Sequence, residues 1–467
     1  MALAACAMPP SRSTPDPARV VWDYHVRAVG RPVELLEVEA RLEAGGGDDL
    51  SVDDDAVPFV RDVQAASGSS WVAVVANGST WTVPCHAAGC RVRYRFALRE
   101  AATKLDDVET AVASGDVVAA PPSTWLLHPP VQPGRFRFQV DAAPGVHFVA
   151  ATRPSPAVPA AFEAETSALP SSSFAVFGDF HSAVVSRGGA RIEIAIAPHE
   201  MPLSDAEITT WVERAVDAIA GYYGRFAVDR TLVVVQVGKA GSPSRGVTLG
   251  DGGPGVLVRT PGAPTPEAVR AAVRDDWVMT HELLHVTLPT LARDQVWLSE
   301  GIPSYVEPFA RARAGQVSVE KVWRDLLDGL PQGLPEAGDE GLDRTHTWGR
   351  TYWGGALFCL MADVTIREKT GGARSLDDAL RAIVATGVDV ETRWDVDRVL
   401  DVGDRATGTT VLHDAYRNFA LAPGTVDLPA LWARLGVRAD GAGVAFDEGA
   451  PLASIRRAMT SVQAGGR

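Results

Sequence analysis

The sequence predicts an α+β chain: an antiparallel β-sandwich first, then a small sheet, then a mostly helical C-terminal part. Three observations predict it. Between about 20 and 165, short stretches alternate apolar and polar residues, as half-buried strands do. Between 190 and 258, strand-like and helix-like segments follow one another. From Thr265 onward most apolar residues recur at helical spacing.

Taken in order, residues 20–26, 71–75, 91–96 and 135–140 read as strands. Runs such as Gly45-Gly46-Gly47-Asp48-Asp49, and Pro-rich stretches, separate them. Residues 154–170 are rich in Pro, Ala and Ser and read as a domain boundary. Residues 190–196 alternate as a strand. Ser204 then opens a helix through about Tyr223, with Glu207 placed for a capping box. Residues 231–237 form a strongly apolar strand, and the Gly-rich stretch 246–255 must be a loop or hairpin. Thr265-Pro266-Glu267 has a capping Thr, a Pro at the first helical position and an acid in the first turn. The helix it starts is expected to break near Asp275-Asp276 and to continue to Pro289. Further helices are expected at 301–314, 319–327, 354–368, 376–385 and 453–462. No internal repeat is visible. The expected domains are a tether at 1–19, a β-sandwich at 20–165, a second domain at 170–390 and a helical extension at 391–467.

A chain of 467 residues is too long for one compact core, so two or three domains are expected. Hydrophobic content of 46% with 22% charged residues is globular, not disordered. The net charge is −14, and no Lys/Arg cluster interrupts it, which argues against a nucleic-acid partner. A well-solvated surface is sufficient reason for the acidity. No apolar run approaches the roughly 18 residues that a membrane span needs.

Leu3-Ala4-Ala5-Cys6 has the pattern of a lipoprotein cleavage box, and the Pro-rich residues 9–17 suit a tether. Two readings stay open. In one, a signal peptide lies upstream, Cys6 is lipidated and the protein sits in the cell envelope or periplasm. In the other, the Ala-rich start is only that, and the chain is cytoplasmic. Cys85 and Cys90 flank a short Gly-containing turn. They are either a small disulfide loop, fitting an oxidising compartment, or two unrelated thiols.

The chemistry concentrates in His281-Glu282-Leu283-Leu284-His285. Histidines four apart on a helix share one face, so both imidazoles can reach one metal ion. Glu282 can hold a water at that ion. Glu300 can supply a third ligand and leave the fourth position open. The surrounding residues 277–286 are largely apolar, so the helix should be buried. A buried carboxylate beside two histidines needs partners. A metal ion satisfies all three; a hydrogen-bonded core cluster is the alternative. Two imidazoles and one carboxylate favour one Zn²⁺. Zinc would lower the water's pKa towards ~7, and Glu282 would take its proton and pass it to the leaving amine.

The wording around these residues is specific. Trp297-Leu298-Ser299-Glu300-Gly301-Ile302-Pro303-Ser304-Tyr305-Val306-Glu307 resembles the Trp-Leu-x-Glu-Gly-x-x-x-Tyr-x-Glu segment of gluzincin aminopeptidases, the thermolysin-like clan. Arg350-Thr351-Tyr352-Trp353-Gly354-Gly355-Ala356-Leu357 is similar to that clan's Tyr-x-Lys-Gly-Ala segment. Arg367-Glu368-Lys369-Thr370-Gly371-Gly372 and Ser375-Leu376-Asp377-Asp378 resemble its glycyl aminopeptidase branch. The resemblance implies a thermolysin-like catalytic domain in 170–390, Glu300 as zinc ligand and Tyr352 as donor to the tetrahedral oxyanion. Without it, Glu300 reads as a helix-cap carboxylate and Tyr352 as a packed residue with a satisfied hydroxyl. Glu307 reads as a supporting or surface residue. His346 and Trp348 line the cleft or serve structure.

The chain departs from the family pattern in three ways. The gap between His285 and Glu300 holds 14 residues, about four fewer than in the aminopeptidases, near one helical turn. The Lys of Tyr-x-Lys-Gly is Gly354. No Gly-x-Met-Glu-Asn, whose glutamate would hold a substrate α-amine, precedes the histidines. The nearest stretch, 250–258, suits an edge strand beside a peptide at Gly253, with Asp251 as substitute amine anchor.

The expected function is a zinc peptidase acting on peptides or proteins, with aminopeptidase action as its finer form. A non-catalytic envelope lipoprotein that keeps the fold as a binding module is the first alternative; another zinc hydrolase on the same scaffold is the second.

Overall fold

Alternation in the first part of the chain builds two stacked sheets, seen in a computed structural model that describes residues 19–461 apart from positions 46 and 86. The larger sheet runs Ala161–Glu165, Arg135–Ala142, Val20–Val29, Leu35–Leu42, Cys90–Phe96, Val60–Ser67, Ser70–Ala73. Its neighbours are antiparallel, as expected, except for Val20–Val29 beside Arg135–Ala142, which is parallel. The smaller sheet runs His147–Ala150, Ala175–Gly178, Val117–Ala119, Val112–Ser114. Aromatic rings fill the space between: Trp125 stands edge-on to Phe138 and to Phe177, with centroids 5.6 and 5.7 Å away. Cys85 and Cys90 are joined by a disulfide.

The smaller sheet is a middle layer. Its two inner strands, Ala175–Gly178 and Val117–Ala119, read as continuous apolar runs because both faces are buried. One face meets the larger sheet. From the other, Val117, Phe174 and Val176 pack on Ala195, Leu232, Val234 and Leu257 of a third sheet.

That third sheet runs His181–Arg187, Ala190–Ile196, Arg230–Gln236, Gly255–Arg259, Arg245–Leu249. Its inner strands are parallel and its two outer pairs antiparallel. Period-two alternation splits its residues: Ile192, Ile194, Val233 and Val256 face helices, and their neighbours face the sandwich. The helix Asp205–Tyr223 covers that face, closed at its start by the Ser204/Glu207 capping box.

The domain boundary expected at 154–170 is corrected. Ala161–Glu165 pairs as an edge strand of the larger sheet, and Ala175–Gly178 still belongs to the smaller one. Pro and Ser there mark turns within the sandwich rather than its end. The helix started by Thr265 does break as expected, into Pro266–Asp275 and Val278–Val286. The C-terminal part adds helices Val396–Thr407, Val411–Phe419 and Leu428–Leu435, and a hairpin of Val437–Asp440 with Gly443–Phe446. The tether and Cys6 lie outside the described residues.

Candidate active site

Four elements converge. The histidine helix is Val278–Val286, buried on almost every side. The glutamate helix is Val296–Arg313. The tyrosine segment is a π-helical turn, Arg350–Gly354, running into helix Gly355–Lys369. The edge strand is Arg245–Leu249.

His281 Nε2 lies 3.1 Å, and His285 Nε2 3.3 Å, from Glu300 Oε2. Ligand atoms from these three residues all fall within 4.8 Å of one another. The shortened gap between His285 and Glu300 therefore still lets both helices present their ligands. Burial opposes charge on Glu300, yet His285 and His281 outweigh it and hold the carboxylate well below its usual range. Burial likewise opposes charge on His285, but Glu300 and then Glu282 push it up to about 9. Two imidazoles and a carboxylate bound by mutual attraction form a donor set that a divalent zinc ion fits, replacing the shared proton. His281 is steadied by packing: Trp277 stands edge-on to its ring at 5.2 Å, while its buried Nδ1 meets no hydrogen-bond partner among the described residues.

Glu282 is buried, 8% exposed, and points at the edge strand. Thr248 Oγ1 donates to Glu282 Oε2 at 2.7 Å and lies 3.0 Å from its main-chain oxygen. A Cβ on Gly246 would sit 2.3 Å from Glu282 Cγ, so only glycine leaves room for this side chain. Sequence reasoning missed both residues. The Gly-rich run was visible, but strand register alone decides that Gly246 and Thr248 share the face toward the histidine helix.

The tyrosine ring lies 6.3 Å from the His281 ring. Burial, then Glu300 and Glu282, push its phenol up to about 12, so it keeps its proton at neutral pH. The turn that carries it is held from behind by the buried ion pair of Arg350 with Asp339, 2.8 Å. Loop residue Asp343 ties the same region to the glutamate helix by accepting from Trp297 Nε1 at 2.7 Å.

The expected edge strand is corrected. Gly255–Arg259 is an inner strand, because Arg245–Leu249 takes the edge. Asp251 pairs with Arg393 at 2.6 Å and accepts from Ser171. Gly253 packs on the sandwich: a Cβ there would lie 2.1 Å from Ala151 O. His346 is exposed on the loop before Trp348 and takes no part in the three-ligand cluster. Glu307 is buried and bound to Arg311 at 2.6 Å, which puts it in the wall rather than on the surface.

No family model matches the chain, and no curated protein matches it in sequence. Solved structures do. An aminopeptidase N family protein from Idiomarina loihiensis superposes with a TM-score of 0.68 at 13% identity, covering 89% of this chain and 78% of that one. A two-domain M1 zinc metallopeptidase, a glutamate-to-alanine mutant bound to L-tryptophan, gives 0.52 at 14%, covering 88% and 96%. A like mutant of an M1 zinc metallopeptidase from Deinococcus radiodurans, bound to a Tyr-Ser-Ala substrate, gives 0.51 at 15%, covering 88% and 95%. The chain has the two-domain fold of M1 zinc metallopeptidases, and its resemblance is to the gluzincin type. At these identities the likeness is one of fold.

Proposed function

We propose that the protein is a zinc-dependent peptidase whose cleft lies between the edge strand and the tyrosine segment. One observation carries the reading: His281, His285 and Glu300 converge on a single point, with Glu282 pinned beside it and Tyr352 across from it. Bound zinc, held by those three side chains, supplies Lewis-acid polarisation of water and of the scissile carbonyl. Glu282 takes the proton of the attacking water and delivers it to the leaving amine. Its Oε2 is engaged by Thr248, which leaves Oε1 for the water. Tyr352, still protonated, donates to the developing oxyanion.

Aminopeptidase specificity calls for an anion to hold the substrate's α-amine. The edge-strand residues facing Glu282 are Gly246 and Thr248, and Asp251 is committed to Arg393. Both facts favour cleavage that does not depend on a free N-terminus. The Cys85–Cys90 bridge supports a place in an oxidising compartment of the cell envelope.

The test is turnover of a peptide set, each member with a free and an acetylated N-terminus, by the zinc-loaded protein. Chelation should abolish cleavage and added zinc restore it, with acetylated peptides cut as well as free ones. Tightly bound zinc with no turnover of any peptide would favour the binding-module reading instead.

A further inference from the structure

A cavity of about 430 Å³ opens beside Tyr352. Trp277 walls it from the histidine helix, Ser304 from the glutamate helix, Val322 and Leu326 from helix Val319–Gly329, and Trp348 and Trp353 from the tyrosine segment.

Seven large hydrophobic side chains are exposed among the described residues. The two tryptophans of that group, Trp277 at 49% and Trp348 at 62%, both line this cavity. A wet indole is apolar surface that a ligand would cover with gain. Both also touch the proposed machinery: Trp277 packs on His281, and Trp348 on Tyr352 at 5.6 Å. The cavity mouth therefore adjoins the point where a peptide would be cut.

The charges around the cavity are largely satisfied among themselves. Arg311 pairs with Glu307 at 2.6 Å, Lys321 with Asp325 at 2.8 Å, and Asp328 with Arg324. Asp275 is left at the rim with no ion pair among the described residues. Recognition inside the cavity falls to its apolar walls.

We propose that this cavity is a specificity pocket that takes a bulky apolar side chain, an aromatic one best, from a residue flanking the scissile bond. The proposal rests on the peptidase reading. Indole walls suit offset or edge-on contact with an aromatic ring. Ser304 stands one helical turn beyond Glu300, on the same face, and its small side chain keeps the pocket open beside the ligand.

The experiment uses internally quenched peptides with Phe, Leu, Ala, Arg or Asp at each flanking position, cut by the zinc-loaded full chain. At one position Phe should exceed Ala in kcat/KM by at least about tenfold, from the extra apolar area buried. Ser304→Leu should lower that Phe-to-Ala ratio by about fivefold or more by filling the pocket. Trp348→Ala, at an exposed position that the fold does not need, should lower the same ratio if Ser304→Leu does not fold. A preference for Arg, equal rates at both positions, or an unchanged ratio in a folded variant overturns the proposal.

If no peptide is cut although zinc is bound, the peptidase reading fails by itself. Calorimetry with N-acetylphenylalaninamide and N-acetylalaninamide then decides the pocket. Binding of the first alone upholds it, and equal binding or none overturns it.

Discussion

Gly301 and Gly355 meet backbone to backbone. A Cβ on Gly301 would lie 2.4 Å from Gly355 Cα, and one on Gly355 would lie 2.1 Å from Trp297 O. Gly301 follows Glu300, and Gly355 stands three residues after Tyr352, so this contact sets the spacing between proposed ligand and proposed oxyanion donor. Gly355→Ala should cost about 1–3 kcal/mol of stability, the usual range for overpacking. It should also lower kcat beyond what the folded fraction explains. Thermal unfolding and rate, measured on the same preparation, check both; a full rate per folded molecule would refute the spacing argument.

Glu282→Gln keeps the shape and removes the base. Zinc content should stay at one ion per chain, while kcat falls by about 10²–10⁴-fold. Metal analysis beside peptide turnover measures it, and an undiminished rate would defeat the assigned role.

Thr248 should act through Glu282. Thr248→Val removes the hydroxyl that donates to Oε2 at 2.7 Å and keeps the shape. The expected loss is about 10–100-fold in kcat with KM little changed, as for other groups that orient a reacting residue. Thr248→Ser should restore most of it. If Val and Ser behave alike, the hydrogen bond does not matter.

Glu307 gives a pH-dependent contribution to stability. Burial pushes its carboxyl up to about 7, even though Arg311 pulls it down. A carboxyl raised on folding binds its proton more tightly in the native state, so its contribution is complete below the unfolded value near 4.5. It is lost as pH rises through about 7, on the order of 3 kcal/mol in all. Relative to Glu307→Gln, the unmodified protein should become progressively less stable across that window. Denaturant unfolding at pH 4.5 and 8 tests it, and a constant difference would count against a raised carboxyl.

Much of the site could be read from the sequence, because helical spacing is local. His281, Glu282 and His285 needed only the four-residue repeat, and Glu300 and Tyr352 came with their flanking words. The fold class and the break before the histidine helix were legible for the same reason: Thr265, Pro266 and Asp276 sit where helix ends take such residues. The edge strand was not. Which of two adjacent Gly-rich segments lies outermost depends on pairing with Arg230–Gln236, some 20 residues earlier, and no local pattern records that choice. The sandwich boundary failed because a Pro/Ser-rich run looks the same whether it leaves a domain or turns inside one.

The middle sheet has a practical consequence. Its strand Ala175–Gly178 stacks Val176 against Leu232 and Val234 on one side, while Phe177 faces Trp125 on the other. A gene cut at residue 165 would strand that segment with the wrong half and leave each piece with a bare greasy face. The C-terminal half expressed alone should therefore precipitate. Protease nicking between the halves should leave them clinging together through gel filtration, a single particle in two chains.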